Sequence, residues 1–149
     1  MIHILIIDEH TVVRRGLKQI LAESPDPITV DEAGNWVEAL AKVHYNDFDL
    51  VLMDISISGG GGLDALKELK SRRPELPVLV LSRHPEEIYA VRALRAGAAG
   101  YLNKECAWYE LVKVVKEVLE VGKSKIKMEH NTEITIEPPT SIRMKGGDR

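Results

Sequence analysis

An acidic pair, a lone aspartate, a serine and a lysine each follow a short apolar run in this chain. Asp8 and Glu9 come after residues 4–7, Asp54 after residues 50–53, Ser82 after residues 78–81 and Lys104 just past residues 100–102. A carboxylate such as Asp54 can attack phosphorus only if its repulsion with the incoming phosphoryl group is offset. Asp8 and Glu9 are expected to hold a Mg²⁺ ion for this, with Asp54 and the backbone carbonyl of Ser56 as further ligands; hard oxygen donors are what Mg²⁺ prefers. Lys104 would place a positive charge against one phosphoryl oxygen and Ser82 a hydroxyl donor against another. Positioning and charge neutralisation are most of what phosphoryl transfer requires.

These residues converge only if the chain folds as an alternating β/α sheet. Residues 2–7, 28–32, 50–53, 78–81 and 100–102 read as strands, the first, third and fourth made mostly of Val, Ile and Leu as in strands buried on both faces. Helical spacing between them places Val13, Leu17, Ile20 and Leu21 on one face. The same spacing groups Val37, Leu40 and Ala41, then Leu63, Leu66 and Leu69, then Ile88, Val91 and Leu94. Leu111, Val112, Val115, Val118 and Leu119 mark a fifth helix expected to end at Gly122. The fold expected is α/β, a doubly wound five-stranded parallel sheet of order 2-1-3-4-5 with five helices. In such a sheet ligands bind at the C-terminal ends of the strands.

The chain has 149 residues and a net charge of −3, enough for one well-buried domain. Residues 1–122 are expected to form it. Residues 123–149 carry six Lys/Arg against four Asp/Glu, too sparse for a nucleic-acid footprint. This tail reads as a hairpin, with strands at 124–129 and 133–137, or as a disordered segment. It lacks the length and the amphipathic helices of a DNA-binding domain, so no nucleic-acid binding is expected of this chain itself. The lone Cys106 excludes an internal disulfide. No run is apolar and long enough to span a bilayer, and residues 1–7 do not form a signal peptide, so no membrane and a cytoplasmic location are expected.

The runs ILIIDEH at 4–10, VLMDIS at 51–56, LVLS at 79–82 and AGAAGYLNK at 96–104 resemble the receiver domain of bacterial two-component response regulators. The stretch from His84 to Gly97 is similar to the NarL/LuxR-type branch. The resemblance implies a CheY-like fold and a phosphoryl group accepted on Asp54 from a sensor histidine kinase. It implies Asp8 and Glu9 as Mg²⁺ ligands, Ser82 as the switch hydroxyl, Lys104 as the phosphate-contacting lysine and Tyr101 as a switch aromatic that turns inward. It also implies an output surface on the fourth helix, fifth strand and fifth helix, near Arg92, Arg95, Tyr101, Trp108 and Tyr109, and a homodimer on activation. His84 would sit near the path of hydrolytic water.

The sequence departs from the family pattern at Glu9, where Asp is usual, at Ser58 with the glycines 59–62, and at Arg83. The expected role is a signalling switch with only self-phosphorylation and self-dephosphorylation chemistry. The alternative is a small phosphate-ester hydrolase with Asp54 as nucleophile. Such an enzyme would carry a second carboxylate near position 56, where this chain has Ser56.

Overall fold

The computed structural model describes residues 1–56, 62–82, 87–105 and 108–128, with the backbone alone at 87–89, 108 and 122–128. Five strands alternate with five helices: β1 (Ile2–Ile7), α1 (Thr11–Ala22), β2 (Ile28–Ala33), α2 (Trp36–Tyr45) and β3 (Leu50–Asp54) come first. Then follow α3 (Gly62–Arg72), β4 (Val78–Ser82), α4 (Glu87–Arg95), β5 (Gly100–Asn103) and α5 (Trp108–Met128). All strand pairs are parallel, in the order β2-β1-β3-β4-β5. The expected doubly wound sheet is the one observed.

Alternation along the strands divides the core in two. Leu5, Ile7, Val51, Met53, Val78 and Val80 face α2, α3 and α4, packing with Ala39, Val43, Ala65, Leu66, Leu69, Ala90 and Ala93. Their neighbours Ile4, Ile6, Leu50, Leu52, Leu79 and Leu81 point the other way and pack with Leu21 of α1 and with Leu111, Val114, Val115 and Val118 of α5. A period of two turns a continuous apolar run into two buried faces. Apart from His3 near the start of β1, the central strands β1, β3 and β4 carry no polar residue until they reach their C-terminal ends.

Two helices rotate relative to the faces expected from spacing. In α2 the buried side is Trp36, Ala39 and Val43, while Val37 is 75% exposed. In α4 it is Ala90 and Ala93, while Val91 is 43% exposed. In α4 the described buried positions are alanines, and in α2 Ala39 lies between the larger Trp36 and Val43, so small residues share the innermost line. Hydrophobicity alone does not report that preference.

The largest difference lies in α5, which continues past Gly122 to Met128. A helix-interior glycine costs only about 1 kcal/mol, and Lys123, Lys125 and Lys127 are good helix formers. Residues 124–128 are thus helical and do not form a hairpin strand; the second expected strand, at 133–137, lies outside the described residues.

Glycine is compelled at two positions. A Cβ on Gly62 would sit 1.5 Å from the Ile55 carbonyl oxygen, so only glycine lets α3 start so close to the end of β3. Gly97, at φ 108°, closes α4 in a Schellman turn, where Gly97 N–H donates to Leu94 O (3.1 Å) and Ala98 N–H to Ala93 O (2.9 Å). Ala99 N–H then donates to Val78 O (2.8 Å), which starts β5 in register.

Candidate functional site

Strand register converts distant sequence positions into neighbours. Ile7 lies opposite Met53, so the next residue on each strand is a carboxylate, Asp8 and Asp54. Asp54 lies opposite Leu81, and Ser82 opposite Asn103, which puts Ser82 and Lys104 one step further along. Backbone bonds hold these ends in place: Asp8 N–H donates to Ala33 O (3.0 Å), Ile55 N–H to Leu81 O (3.1 Å) and Lys104 N–H to Ser82 O (2.8 Å). The strand order reverses direction between β1 and β3, the place where a crevice opens in a sheet of this type.

Asp8, Asp54 and Ser82 are the buried polar or charged residues among those described, with exposures of 1%, 3% and 0%. Lys104 reaches in above them. Its Nζ donates to Asp8 Oδ2 at 2.7 Å and lies 3.1 Å from Asp54 Oδ2. Asp8 Oδ1 accepts from the His10 backbone N–H at 2.8 Å, with His10 Nδ1 at 3.1 Å. Asp54 Oδ1 accepts from Ser56 N–H at 3.0 Å and from the Ser56 hydroxyl at 2.9 Å.

One atom is left over. Asp54 Oδ2 is buried and has no hydrogen-bond partner among the described residues, because the nearby ammonium stands off its bonding direction. Two carboxylates share one ammonium here. An uncompensated buried charge costs several kcal/mol, so the site is held short of positive charge. Burial alone would push the Asp8 carboxyl up. The Lys104 ammonium and the His10 N–H more than offset that and hold it below the usual carboxylate range.

Donor chemistry fits a divalent cation. Asp8, His10 and Asp54 each offer one ligating atom, and these atoms lie within 4.8 Å of one another. Glu9 is exposed and stands outside this group, while Ser56 adjoins it through its bonds to Asp54. His10 is the member that sequence reasoning does not find. A signal for it exists, since it lies two residues past Asp8 at the start of a helix, within reach of the aspartate's oxygen.

The remaining expected residues separate cleanly. Tyr101 is buried (3% exposed) against the α3–α4 side of the core, its ring inward in this structure. Arg92, Arg95 and Tyr109 are exposed. The side chain of Trp108, and Ser58, Arg83, His84, Cys106 and glycines 59–61, lie outside the described residues.

A second ionic cluster braces the same edge. Arg14 Nη1 donates to the Asp8 carbonyl oxygen and its Nε to Glu32 Oε1 at 2.8 Å, while Lys18 Nζ donates to Glu32 Oε2 at 3.0 Å. Arg14, followed by Lys18, holds the Glu32 carboxyl below its ordinary range.

A parallel sheet of this order, with an acidic pair, a serine and a lysine gathered at its switch point, is a CheY-like receiver fold. The family model for the response regulator receiver domain matches residues 4–116, and the chain belongs to that family. It is 36% identical over 118 residues to the DNA-binding transcriptional activator DevR/DosR of Mycobacterium tuberculosis, covering 79% of this chain and 54% of that protein. It is 39% identical over 121 residues to the transcriptional regulatory protein DegU of Brevibacillus brevis, covering 81% and 51%. The chain thus spans about half the length of the curated relatives it matches.

Among solved structures, a CheY-like receiver domain from Methanospirillum hungatei superposes with a TM-score of 0.77 at 28% identity, covering 84% of this chain and 98% of that one. A LuxR family DNA-binding response regulator from Silicibacter pomeroyi does so at 0.72 and 30%, covering 80% and 93%. The chain is therefore a response regulator receiver of two-component signalling, and LuxR-type kinship agrees with the motifs in the sequence. Among the described residues no helix is long and apolar enough to cross a membrane.

Proposed function

We propose that this receiver accepts a phosphoryl group on Asp54 from a sensor histidine kinase in a Mg²⁺-dependent reaction. The observation that carries the reading is Asp54 Oδ2, a buried carboxylate oxygen without a hydrogen-bond partner among the described residues, 3.1 Å from an ammonium. Ser56 occupies the other oxygen of Asp54 and so orients the free one. In the transfer, that oxygen forms the new O–P bond as the donor's bond to phosphorus breaks. Lys104 meets the charge that develops on one phosphoryl oxygen, and the Ser82 hydroxyl donates to another.

Asp8, Glu9 and Asp54, with the Ser56 carbonyl, are the proposed Mg²⁺ ligands. Bound there, the ion would neutralise charge on the carboxylate and phosphoryl oxygens. Asp8 is prepared for this because Lys104 and the His10 N–H keep it ionised despite burial.

Phosphorylation then adds charge beside Lys104 and Ser82. Both groups settle on the phosphoryl oxygens, and Tyr101 reports the change to the surface of α4, β5 and α5. The Tyr101 ring is buried, the position such a switch would take when turned inward. Arg92, Arg95 and Tyr109 are exposed on or beside the surface whose partner preference would change, a homodimer being one such partner. The receiver unit spans residues 1–122 in this reading and works in the cytoplasm.

Incubation of the chain with acetyl phosphate and Mg²⁺ tests the proposal by intact mass. A single added phosphoryl group on the wild type, absent from Asp54→Asn, is expected. Equal labelling of both forms would overturn Asp54 as the acceptor. The hydrolase reading gains nothing from the site, since position 56 carries a hydroxyl already engaged with Asp54 and no second carboxylate acid/base.

A further inference from the structure

Asp8 is held through its backbone as well as through its carboxylate, and both backbone groups are tied to the last two residues of β2. Its N–H donates to the Ala33 carbonyl at 3.0 Å. Its carbonyl accepts from Arg14 Nη1, and the same guanidinium donates through Nε to Glu32 Oε1 at 2.8 Å. The third nitrogen, Nη2, lies 3.4 Å from Thr11 Oγ1 in the first turn of α1. Adjacent residues of the edge strand, Ala33 and Glu32, thus brace the two sides of one residue on its neighbour.

The first brace extends the sheet ladder, since Ala33 lies opposite Ile7. The second is not a ladder bond. A carbonyl just past a strand end needs a partner, and here a guanidinium supplies it. Arg14 is well placed for this, with its side chain only 15% exposed. A planar fork serves a carbonyl and a carboxylate at once, which the compact ammonium of lysine does not reproduce. Gly34 leaves the fork its room, because a Cβ there would lie 3.3 Å from Arg14 Nη1. The Glu32 carboxylate also meets the charge of Arg14, so no bare cation stands behind the acidic turn.

We propose that Arg14 is a positioning residue for phosphoryl transfer: by bracing the Asp8 carbonyl against Glu32, it sets where Asp8 offers its carboxylate and so how tightly the site holds its dication. The inference rests on the reading of Asp8 as a Mg²⁺ ligand. The braced carbonyl carbon and the side chain share one Cα, so a tilt of that peptide swings the carboxylate. Such a tilt draws the oxygens off Lys104 Nζ and the His10 N–H, now at 2.7 and 2.8 Å. Groups that orient a ligand without touching the metal change its affinity by roughly 10- to 100-fold.

Charge and position predict opposite signs. Mg²⁺ is titrated into the full chain and followed by the backbone amide NMR signals of residues 8–10, in the wild type, Arg14→Met, Arg14→Lys and Asp8→Asn. Labelling by acetyl phosphate is measured over the same Mg²⁺ range, below the unfolding midpoint of each form. Mg²⁺ affinity is expected to fall on the order of tenfold in both Arg14 variants, since lysine keeps the charge and loses the fork. Half-saturating Mg²⁺ for labelling should rise to match, with the rate at saturation closer to wild type. Tighter Mg²⁺ binding in Arg14→Met, with Arg14→Lys unchanged, would reduce Arg14 to a charge and overturn the proposal. So would lower unfolding midpoints with wild-type Mg²⁺ affinity in both Arg14 variants, provided Asp8→Asn loses the ion. If Asp8→Asn binds Mg²⁺ as the wild type does, the reading of Asp8 as a ligand falls, and this inference falls with it.

Discussion

The C-terminal edge of the sheet holds two ionic clusters with opposite balances. At the end of β2, Glu32 is met by two cations, Arg14 and Lys18, and both of its oxygens are bonded at 2.8 and 3.0 Å. At the ends of β1 and β3, two carboxylates share Lys104 and one buried oxygen goes without a hydrogen bond. The first cluster is saturated and partly exposed; the second is buried and short of positive charge. Arg14 joins them, because the guanidinium that binds Glu32 also holds the Asp8 carbonyl. A satisfied cluster supports the fold, whereas one held short of charge stays ready for a cation or a phosphoryl group.

Breaking the unsatisfied cluster should have the largest consequences. Asp54→Asn is expected to abolish phosphoryl labelling in the acetyl phosphate assay. It should change stability by no more than about 1–2 kcal/mol, since Lys104 keeps its closer partner Asp8. Denaturant unfolding would separate the two effects. Lys104→Ala removes the cation that both carboxylates face and should destabilise the fold by roughly 3–5 kcal/mol. Unfolding midpoints measured at neutral pH, with and without Mg²⁺, check this, and a loss below about 1 kcal/mol would mean the two carboxylates are better solvated than their burial implies.

The saturated cluster should be costly in a different way. Arg14→Met leaves Glu32 with one cation and the Asp8 carbonyl without its donor, a loss of about 1–3 kcal/mol. Asp54 should still accept a phosphoryl group, more slowly, because the acidic turn is less well held. Stopped-flow labelling beside an unfolding curve would show it, and a labelling rate equal to wild type would sever the two clusters.

The smallest effect is in pH dependence. Arg14 and Lys18 hold Glu32 below its ordinary pKa of 4.5, so the unfolded chain protonates there first. That part of the stability is present above the unfolded value and is lost as pH falls through the folded one. Glu32→Gln should flatten the decline in unfolding free energy below about pH 4.5, by a few tenths of a kcal/mol after solvent screening. A slope unchanged in the variant would assign the acid sensitivity to Asp8 instead.

Much of this is legible in the order of residues along the chain. The five expected strands match the observed ones to within a residue at their C-terminal ends; for β1, β3 and β4 the reason is that a run buried on both faces does not tolerate a polar side chain. The residue that ends the run, such as Asp54 or Ser82, still belongs to the strand, since its backbone pairs even where its side chain leaves the core. Asp8, Asp54, Ser82 and Lys104 stand out for that reason, and the fold brings the first two and Lys104 into direct contact.

Less is visible where size or distance decides. The apolar spacing of α2 and α4 points to Val37 and Val91 as core, but the helices turn Ala39, Ala90 and Ala93 inward instead. Gly122 resembles a helix end because glycine often closes a helix. A closing turn needs a left-handed residue, however, and here the helix simply continues to Met128. His10 escapes notice because its place two residues past Asp8 gains meaning only once the turn before α1 brings its ring to that carboxylate. Local sequence pattern fixes which residues end the strands and so which could act. Register, helix depth and the direction of each free oxygen come from contacts between segments up to 96 residues apart, and only the tertiary structure decides those.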